Sequence, residues 1–219
     1  GVNLSTFDQT SLLKKLIYNA RTAREGVAGE NPNRTFTEIG GVVEGDAGYT
    51  VVFATEVDAN GKTLRPAGSA ANLIYPRNVA LVQVGKDYLT NDNFALSPGA
   101  VEEGTFKDYS GKWQTQKNQG IVWLTSYSDK NLENASRVKV APLADGNILV
   151  LWEKWTPTGY VNTYAMKVSP RGEKLTEAIE LGTQVRLGRR EDALVIGDKV
   201  LLFAGEKADG EVIVTVIQP

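Results

Sequence analysis

Six residues in two segments have the side-chain types that bind sugars or peptides. Flat aromatic rings stack on ligands at low entropic cost, and polar groups beside them fix the orientation of what is bound. The first segment, 90–118, is a long polar stretch, and the second, 155–160, is a short turn. We expect a ligand-binding site here, with local packing of the strand ends as the competing interpretation. Its residues are Phe106, Asp108, Tyr109, Trp113, Trp155 and Tyr160.

Carboxylates are the other groups that can do chemistry. Those near predicted strand ends or turns are Asp46, Glu56, Asp108, Asp145, Glu153 and Glu206. Two carboxylates about 5 to 9 Å apart would suit glycoside hydrolysis. Charged residues at strand ends are more often solvated, and so is the basic run 186–190, which is followed by two acidic residues. An enzyme is therefore the alternative hypothesis, and no residue is assigned a catalytic role.

Cysteine and histidine are both absent from the 219 residues. Their absence excludes disulfides, thiolate nucleophiles, zinc sites built on either residue and Ser-His-Asp catalysis. The sequence also lacks a glycine-rich phosphate loop that leads into a helix, and it lacks the alternating acidic ligands of an EF-hand. We therefore predict no cofactor and no metal.

Charge and hydropathy limit the partners. The 24 basic and 26 acidic residues give a net charge of −2, which predicts no general attraction to nucleic acid or to an anionic membrane. No apolar run reaches the roughly 18 residues that a membrane span needs. Sequons at Asn3, Asn33 and Asn134 permit secretion. We expect an extracellular or cell-surface location.

The elements that must position these residues are one helix followed by strands. Helical spacing of apolar residues over 10–24 predicts a helix within an N-terminal segment, 1–34. Over 35–219, short apolar runs alternate with Gly-Asp, Asp-Gly and Asn-Gly turns, which is typical of antiparallel hairpins. The chain is expected to be a single all-β domain with one helix. Strands are predicted near 37–45, 49–58, 78–85, 119–128, 137–144, 147–155, 160–169, 174–181, 191–197, 199–206 and 211–218.

One stretch of sequence occurs twice. Residues 53–64 align without a gap on 164–175, and 80–89 resembles 193–201 once one residue is skipped. The clearest unit, 137–181, has about 45 residues in four predicted strands, the size of one propeller blade. On these residues the chain resembles a β-propeller of about four blades, closed by itself or part of a larger ring. The blades would be 35–70, 76–136, 137–181 and 186–219.

The last blade is one strand short, which leaves the strand near 211–218 with an open edge. Six strand-forming residues with a single hydroxyl aggregate when they are exposed, so we expect this strand to pair on both sides. The second neighbour would be the N-terminal segment 2–7 or a second polypeptide. The repeat also predicts burial of Ala54, Val57, Ala165, Val168, Leu194, Leu201 and Phe203.

These features predict a non-enzymatic binding or scaffold module. The expected partner is a glycan or other small molecule bound through segments 90–118 and 155–160, or a polypeptide that completes the edge at 211–218. A glycoside hydrolase or lyase based on carboxylates is one alternative. A structural subunit that completes a larger propeller assembly is the other.

Overall fold

The computed structural model describes residues 2–7, 12–18, 37–57, 76–107, 111–205 and 212–219. These residues form fifteen strands paired only antiparallel, and no helix occurs among them. The prediction of an all-β protein is confirmed. The strands are β1 (Val2–Phe7), β2 (Leu12–Tyr18), β3 (Thr37–Glu44), β4 (Gly48–Glu56), β5 (Arg77–Gly85), β6 (Glu102–Lys107), β7 (Trp113–Asn118), β8 (Val122–Trp123), β9 (Asn134–Pro142), β10 (Ile148–Thr156), β11 (Gly159–Val168), β12 (Ile179–Gly182), β13 (Leu194–Ile196), β14 (Lys199–Gly205) and β15 (Val212–Ile217).

The strands form three larger sheets and two hairpins. Sheet I has the order β3-β4-β5-β8, sheet II the order β9-β10-β11-β12, and sheet III the order β13-β14-β15. The hairpins are β1-β2 and β6-β7. Strands adjacent in each sheet follow one another along the chain, except that the β6-β7 hairpin is inserted between β5 and β8. Such meanders need only short turns, as at Gly146, whose φ of 80° suits the left-handed region.

The core consists of apolar layers on successive sheet faces. On β4, Val51 and Phe53 pack in a cluster with Ile17 of the β1-β2 hairpin, while Val52 and Ala54 point to sheet II. On β10, Ile148, Val150 and Trp152 pack in the layer between sheets I and II, whereas Leu149 and Leu151 pack against sheet III. Because side chains alternate along a strand, sheets I and II bury both of their faces.

The predicted N-terminal helix is wrong where it can be examined. Residues 12–18 form β2, which pairs with β1 from Phe7 opposite Leu12 to Val2 opposite Tyr18. The rest of the predicted helix and most of 1–34 lie outside the described residues. A short apolar run fits a strand as well as a helix, and tertiary packing decided between them: Ile17 is fully buried beneath sheet I with Leu4 against the same cluster. No helix among the described residues is long and apolar enough to cross a membrane.

The predicted boundary between the first two blades is also wrong. β3 and β4, from 35–70, pair with β5 and β8, from 76–136, in one sheet. The pattern of strands along the sequence does not reveal which strands pair. The long connection after β4 therefore suggests a boundary between two blades. Sheet II agrees with the predicted unit 137–181, and sheet III lies within 186–219. No closed ring of sheets occurs among the residues the structure describes.

The repeat predicts burial correctly in the middle of the chain and incorrectly near its end. The repeat correctly predicts that four positions are buried: Ala54, Val57, which is 9% exposed, Ala165 and Val168. Leu194 is 48% exposed, while Leu201 and Phe203 are only half-buried. The buried face of β14 is the opposite one, Val200, Leu202 and Ala204. Because side chains alternate along a strand, a shift of one residue exchanges its buried and exposed faces. The alignment of the repeat is shifted by one residue at β14 and therefore predicts the wrong face as buried.

The predicted N-terminal partner for the last strand is wrong as well. Segment 2–7 pairs with β2, and β15 pairs with β14 alone among the described strands. The register of sheet III places seven apolar residues on the face turned away from sheet II, which we call the outer face. These residues are exposed or half-buried: Leu194, Ile196, Leu201, Phe203, Val212, Val214 and Val216.

Candidate functional site

A cleft with a volume of about 830 Å³ opens where sheets I and II meet. Strands of a meander alternate in direction, so the starts of β3, β5 and β9 and the end of β10 reach the same end of the molecule. The charged residues that line the cleft are Glu38, Arg77, Lys130, Arg137 and Arg189. Counted over the described residues, four cations and one carboxylate line the cleft and make its lining positive, although the whole chain has a net charge of −2.

Glu153 lies beneath the cleft and is fully buried. Its Oε1 accepts hydrogen bonds from Arg186 Nε at 3.1 Å and from the backbone N of Leu187 at 2.8 Å. Its Oε2 accepts one from Trp155 Nε1 at 2.8 Å and lies 3.5 Å from Arg137 Nε. Both oxygens are therefore satisfied, as a buried carboxylate requires. The role of Glu153 is to hold two arginines and a tryptophan in place.

The ring of Trp155 lies close to both arginines. The guanidinium carbon of Arg137 is 5.1 Å from the ring centroid and that of Arg186 is 5.8 Å from it. Arg186 also lies 3.9 Å from the ring centroid of Tyr160, which meets Trp155 edge to face. Guanidinium groups are attracted to aromatic faces at these distances. The aromatic rings therefore position cations and do not form an exposed aromatic surface on which a ligand could stack.

The backbone of Arg137 is unusual. Its φ of 53° is the only positive value at a non-glycine residue in the described part of the chain. The pairing of β9 with β10 shifts between Leu151 and Glu153, where β9 carries one extra residue, so Arg137 sits in a bulge. Bulges redirect side chains, and strained backbone of this kind is frequent at functional sites. The Nη1 of Arg137 donates to the carbonyl of Leu187 at 3.0 Å, which fixes the guanidinium further.

Arg77 lines the opposite wall of the cleft. Burial lowers the pKa of Arg77, and the negative charge of Glu38 partly opposes this. Its Nε is buried without a hydrogen-bond partner among the described residues. The backbone N of Arg77 donates to Asn134 Oδ1 at 3.2 Å, and Ser136 Oγ donates to Glu38 Oε2 at 2.9 Å. These bonds connect β5 and β3 of sheet I to β9 of sheet II across the cleft.

The six predicted site residues do not form one cluster. Trp155 lines the cleft, and Tyr160 lies beside it with its hydroxyl near Thr163 and the carbonyls of Gly182 and Val185. Trp113 is 58% exposed on β7 and is not among the residues that line the cleft. Phe106 lies in β6 opposite Gln114 in the register. Asp108 and Tyr109 lie outside the described residues.

Sequence reasoning missed the cations of the site. The sequence predicts a solvated turn at 186–190, yet Arg189 lines the cleft and Arg186 contacts Glu153 beneath it. That run was the one available signal. Arg77 begins the apolar strand β5, Arg137 lies two residues before Lys139 in β9, and nothing in the sequence places either arginine beside Trp155.

The predicted carboxylates do not pair in the cleft. Glu56 and Glu153 are buried, Asp46 is exposed in a turn, and Asp108 and Glu206 lie outside the described residues. Asp145 borders a smaller cavity of about 210 Å³ together with Asp198. Hydrogen bonds from Lys167, at 2.7 Å, and from Asn147 lower the pKa of Asp145 to about 2, so it is ionised at neutral pH. No group of three acidic side chains that could hold a metal occurs in the described ranges.

No protein family model matches the sequence, and no curated protein is significantly similar to it. The chemistry of the cleft must therefore be inferred from its own residues. They form a preorganised, positively charged surface with an aromatic centre and several hydroxyl and amide groups.

Proposed function

We propose that the chain is a non-enzymatic binding module whose ligand occupies the cleft between sheets I and II. The observation that carries the proposal is the arrangement of Arg137 and Arg186 about Trp155, held from below by buried Glu153. Small-molecule sites are typically preformed cavities of about 300–1,000 Å³ with a few fixed polar groups, and the cleft falls within that range. A glycan or a peptide segment is the expected ligand class.

The carboxylates favour binding over glycoside hydrolysis. A general acid or nucleophile must reach its substrate, but Glu153 has no exposed surface and both of its oxygens are engaged. Glu38, the carboxylate among the described residues lining the cleft, accepts a hydrogen bond from Ser136. Hydrolysis remains the alternative function, and the smaller cavity beside Asp145 and Asp198 is where it would be sought.

Blocking the cleft tests the binding function. Asn131 is exposed at the cleft, so Asn131→Trp should obstruct the opening without disturbing the core. Calorimetric titration with a panel of neutral oligosaccharides, acidic oligosaccharides and acidic peptides should find a member that binds the wild type and not this variant. Glu177→Trp, at an exposed position that does not line the cleft, is the matched control and should bind normally. The proposal fails if no panel member binds, or if Asn131→Trp binds as tightly as the wild type.

A structural role is the second candidate, and the layered core supports it. Sheets I and II bury both faces, while sheet III buries one and leaves seven apolar side chains on its outer face. Successive sheets packed face to face are the arrangement of propeller blades. We propose that sheets I to III form such a stack and that a second copy of this chain continues it by covering the outer face.

Symmetry and charge favour a second copy as the occupant. A two-fold axis would set the outer face against its own equivalent, so that apolar residues meet apolar residues. No charged residue occurs in β15, and Lys199 lies at the margin of the face. Two such faces therefore meet without strong repulsion, and contiguous exposed apolar surface commonly marks an interface.

The mass of the native particle tests this arrangement. Light scattering after size exclusion should give twice the chain mass for the wild type and one chain mass for Val214→Lys. Val214 is 50% exposed, so the variant should still fold, which circular dichroism checks. Glu177→Lys, outside the outer face, should remain a dimer. A monomeric wild type, or a Val214→Lys variant that stays dimeric, would exclude the second copy.

A further inference from the structure

We propose that the ligand of the cleft is an acidic oligosaccharide, bound through carboxylate groups by Arg77, Arg137 and Arg189. This inference rests on the binding function proposed above and specifies its ligand. The cations concentrate at one end of a chain that carries a net charge of −2. The charge of the cleft lining is therefore opposite in sign to the net charge of the chain. A concave positive surface attracts and orients anions.

The arginines are prepared to donate hydrogen bonds. A guanidinium has five N–H donors in a rigid fork that matches a carboxylate. Arg137 directs its Nε to Glu153 and its Nη1 to the Leu187 carbonyl, so it has donors beyond those engaged in these contacts. Its position is already fixed by Glu153 and Trp155, so little further ordering is required when a ligand binds.

Arg77 provides an independent indication. Its Nε is buried at the wall of the cleft without a hydrogen-bond partner among the described residues, and buried donors are normally paired. A ligand carboxylate in the cleft would place a negative charge beside this guanidinium and offset the loss of solvation that burial causes. Glu38, on the same wall, is engaged by Ser136 Oγ.

The neutral residues of the cleft favour a saccharide over a peptide. Thr37, Asn131, Ser136 and Thr156 offer hydroxyl and amide groups that can bond to sugar hydroxyls. Trp155 and Pro157 add apolar surface, which suits the C–H face of a pyranose. A volume of about 830 Å³ also exceeds what a lone carboxylate or inorganic anion needs. Acidic peptides share the charge but not the density of hydroxyls.

Binding of defined oligosaccharides tests the inference. An oligogalacturonate and its fully methyl-esterified form have the same backbone and differ in charge. We expect the free acid to bind at least about tenfold more tightly than the ester, with an affinity that falls as salt is raised. A sulfated oligosaccharide and a glutamate hexapeptide of similar charge complete the panel, and both should bind more weakly than the free acid.

Two neighbouring arginines provide a matched pair of variants. Arg189 lines the cleft, whereas Arg190 does not, and both side chains are exposed. Arg189→Gln should weaken binding of the oligogalacturonate about tenfold, and Arg190→Gln should leave it within about twofold. Circular dichroism and melting of both variants check that they fold as the wild type does.

The outcomes separate this inference from the proposed function. If the ester binds as tightly as the free acid in the cleft, the binding function stands and the acidic ligand is wrong. Tighter binding of the sulfated sugar overturns the assignment to carboxylates, and tighter binding of the peptide overturns the saccharide. Equal losses in Arg189→Gln and Arg190→Gln would indicate nonspecific attraction and overturn the site. Absence of binding by every ligand would overturn the binding function together with the inference.

Discussion

Glu153 is surrounded by four donors, the side chains of Arg137, Trp155 and Arg186 and the backbone N of Leu187. Removing a carboxylate from water costs several kcal/mol, and these contacts offset that cost. The same contacts determine where the Arg137 guanidinium lies in the cleft and where the Arg186 guanidinium lies beside Trp155. Stability and binding geometry at this end of the molecule therefore depend on one side chain.

Glu153→Gln should be strongly destabilising. The amide keeps the shape of the side chain but leaves two arginines without their counter-charge, and breaking a buried pair costs about 3–5 kcal/mol. Urea unfolding measures the difference. Glu133→Gln is the control, because Glu133 pairs with Lys154 at 3.5 Å in a partly exposed position, where such a pair contributes about 1 kcal/mol or less. Similar losses in the two variants would contradict the role assigned to Glu153.

Tyr127 should make the protein sensitive to alkali. Burial raises the pKa of Tyr127 to about 12, although a hydrogen bond from Trp152 Nε1, at 3.0 Å, acts in the opposite direction. Because the pKa in the folded protein lies above that in the unfolded chain, near 10, the contribution to stability is complete below pH 10. It is lost as the pH rises through about 12.

Tyr127→Phe checks the alkaline effect. The variant should be less stable at pH 8, since the hydrogen bond to Trp152 is lost, but its melting temperature should fall less steeply between pH 10 and pH 12. Ionisation of the other tyrosines and the lysines is common to both proteins and cancels in the comparison. Parallel curves for the two proteins would show that Tyr127 is not the group responsible.

At the residue scale, the sequence predicts the aromatic part of the site better than its charges. The turn after β10 identified Trp155 and Tyr160 because aromatic residues beside a turn are visible in the sequence. Arg137 and Arg186 reach Glu153 from positions 16 and 33 residues away along the chain. Contacts over such separations depend on how the sheets pack, which no local pattern encodes.

At the scale of elements, β14 shows how much depends on register. Its strand character follows from a run of branched and aromatic residues, and its bounds were predicted within one residue. The choice of buried face was wrong, because both faces of Lys199–Gly205 are apolar and alternation alone cannot distinguish them. The β2 strand is predicted as a helix because the apolar residues of Leu12–Tyr18 recur at helical spacing and do not alternate with polar ones.

Adjacent leucines on β14 test the observed register. Leu202 is 2% exposed in the layer between sheets II and III, whereas Leu201 is half-buried on the outer face. Leu202→Ala should therefore cost about 2–5 kcal/mol of unfolding free energy, as large-to-small changes in a core do. Leu201→Ala should cost clearly less in the monomer, as measured by urea unfolding at low protein concentration. The reverse order would mean that the opposite face of β14 is buried.

Two glycines test how closely β4 and β5 approach. A Cβ at Gly48 would lie 1.9 Å from the carbonyl oxygen of Val84, which is backbone and cannot move without disturbing the pairing of sheet I. Gly205, at the end of β14, has no atom of the described residues within 4 Å of such a Cβ. Gly48→Ala should therefore lower the melting temperature by several degrees, and Gly205→Ala should leave it nearly unchanged. An unchanged melting temperature in Gly48→Ala would contradict the close approach.

At the scale of the whole molecule, the sequence indicated the class of fold but not the grouping of strands. Sheet II was recognised because its four strands and short turns are contiguous, from Asn134 to Gly182. The sequence divides sheet I in two because a long connection separates β4 from β5, although these two strands pair directly. Composition, turns and alternation describe neighbours along the chain, and pairing across an insertion requires knowledge of the packed core.

The insertion between β5 and β8 also bears on the order in which the protein folds. Sheets II and III join strands that are close in sequence, and local pairings form faster than distant ones. Sheet I is complete only when β8 pairs with β5, from which it is separated by residues 86–121. This pairing has the entropy cost of closing a long loop. We expect sheet II to form early and β8 to dock in a slow step. Pulse-labelling of amide hydrogens during refolding should then protect Leu151, in β10, before Val122, in β8; simultaneous protection would contradict this order.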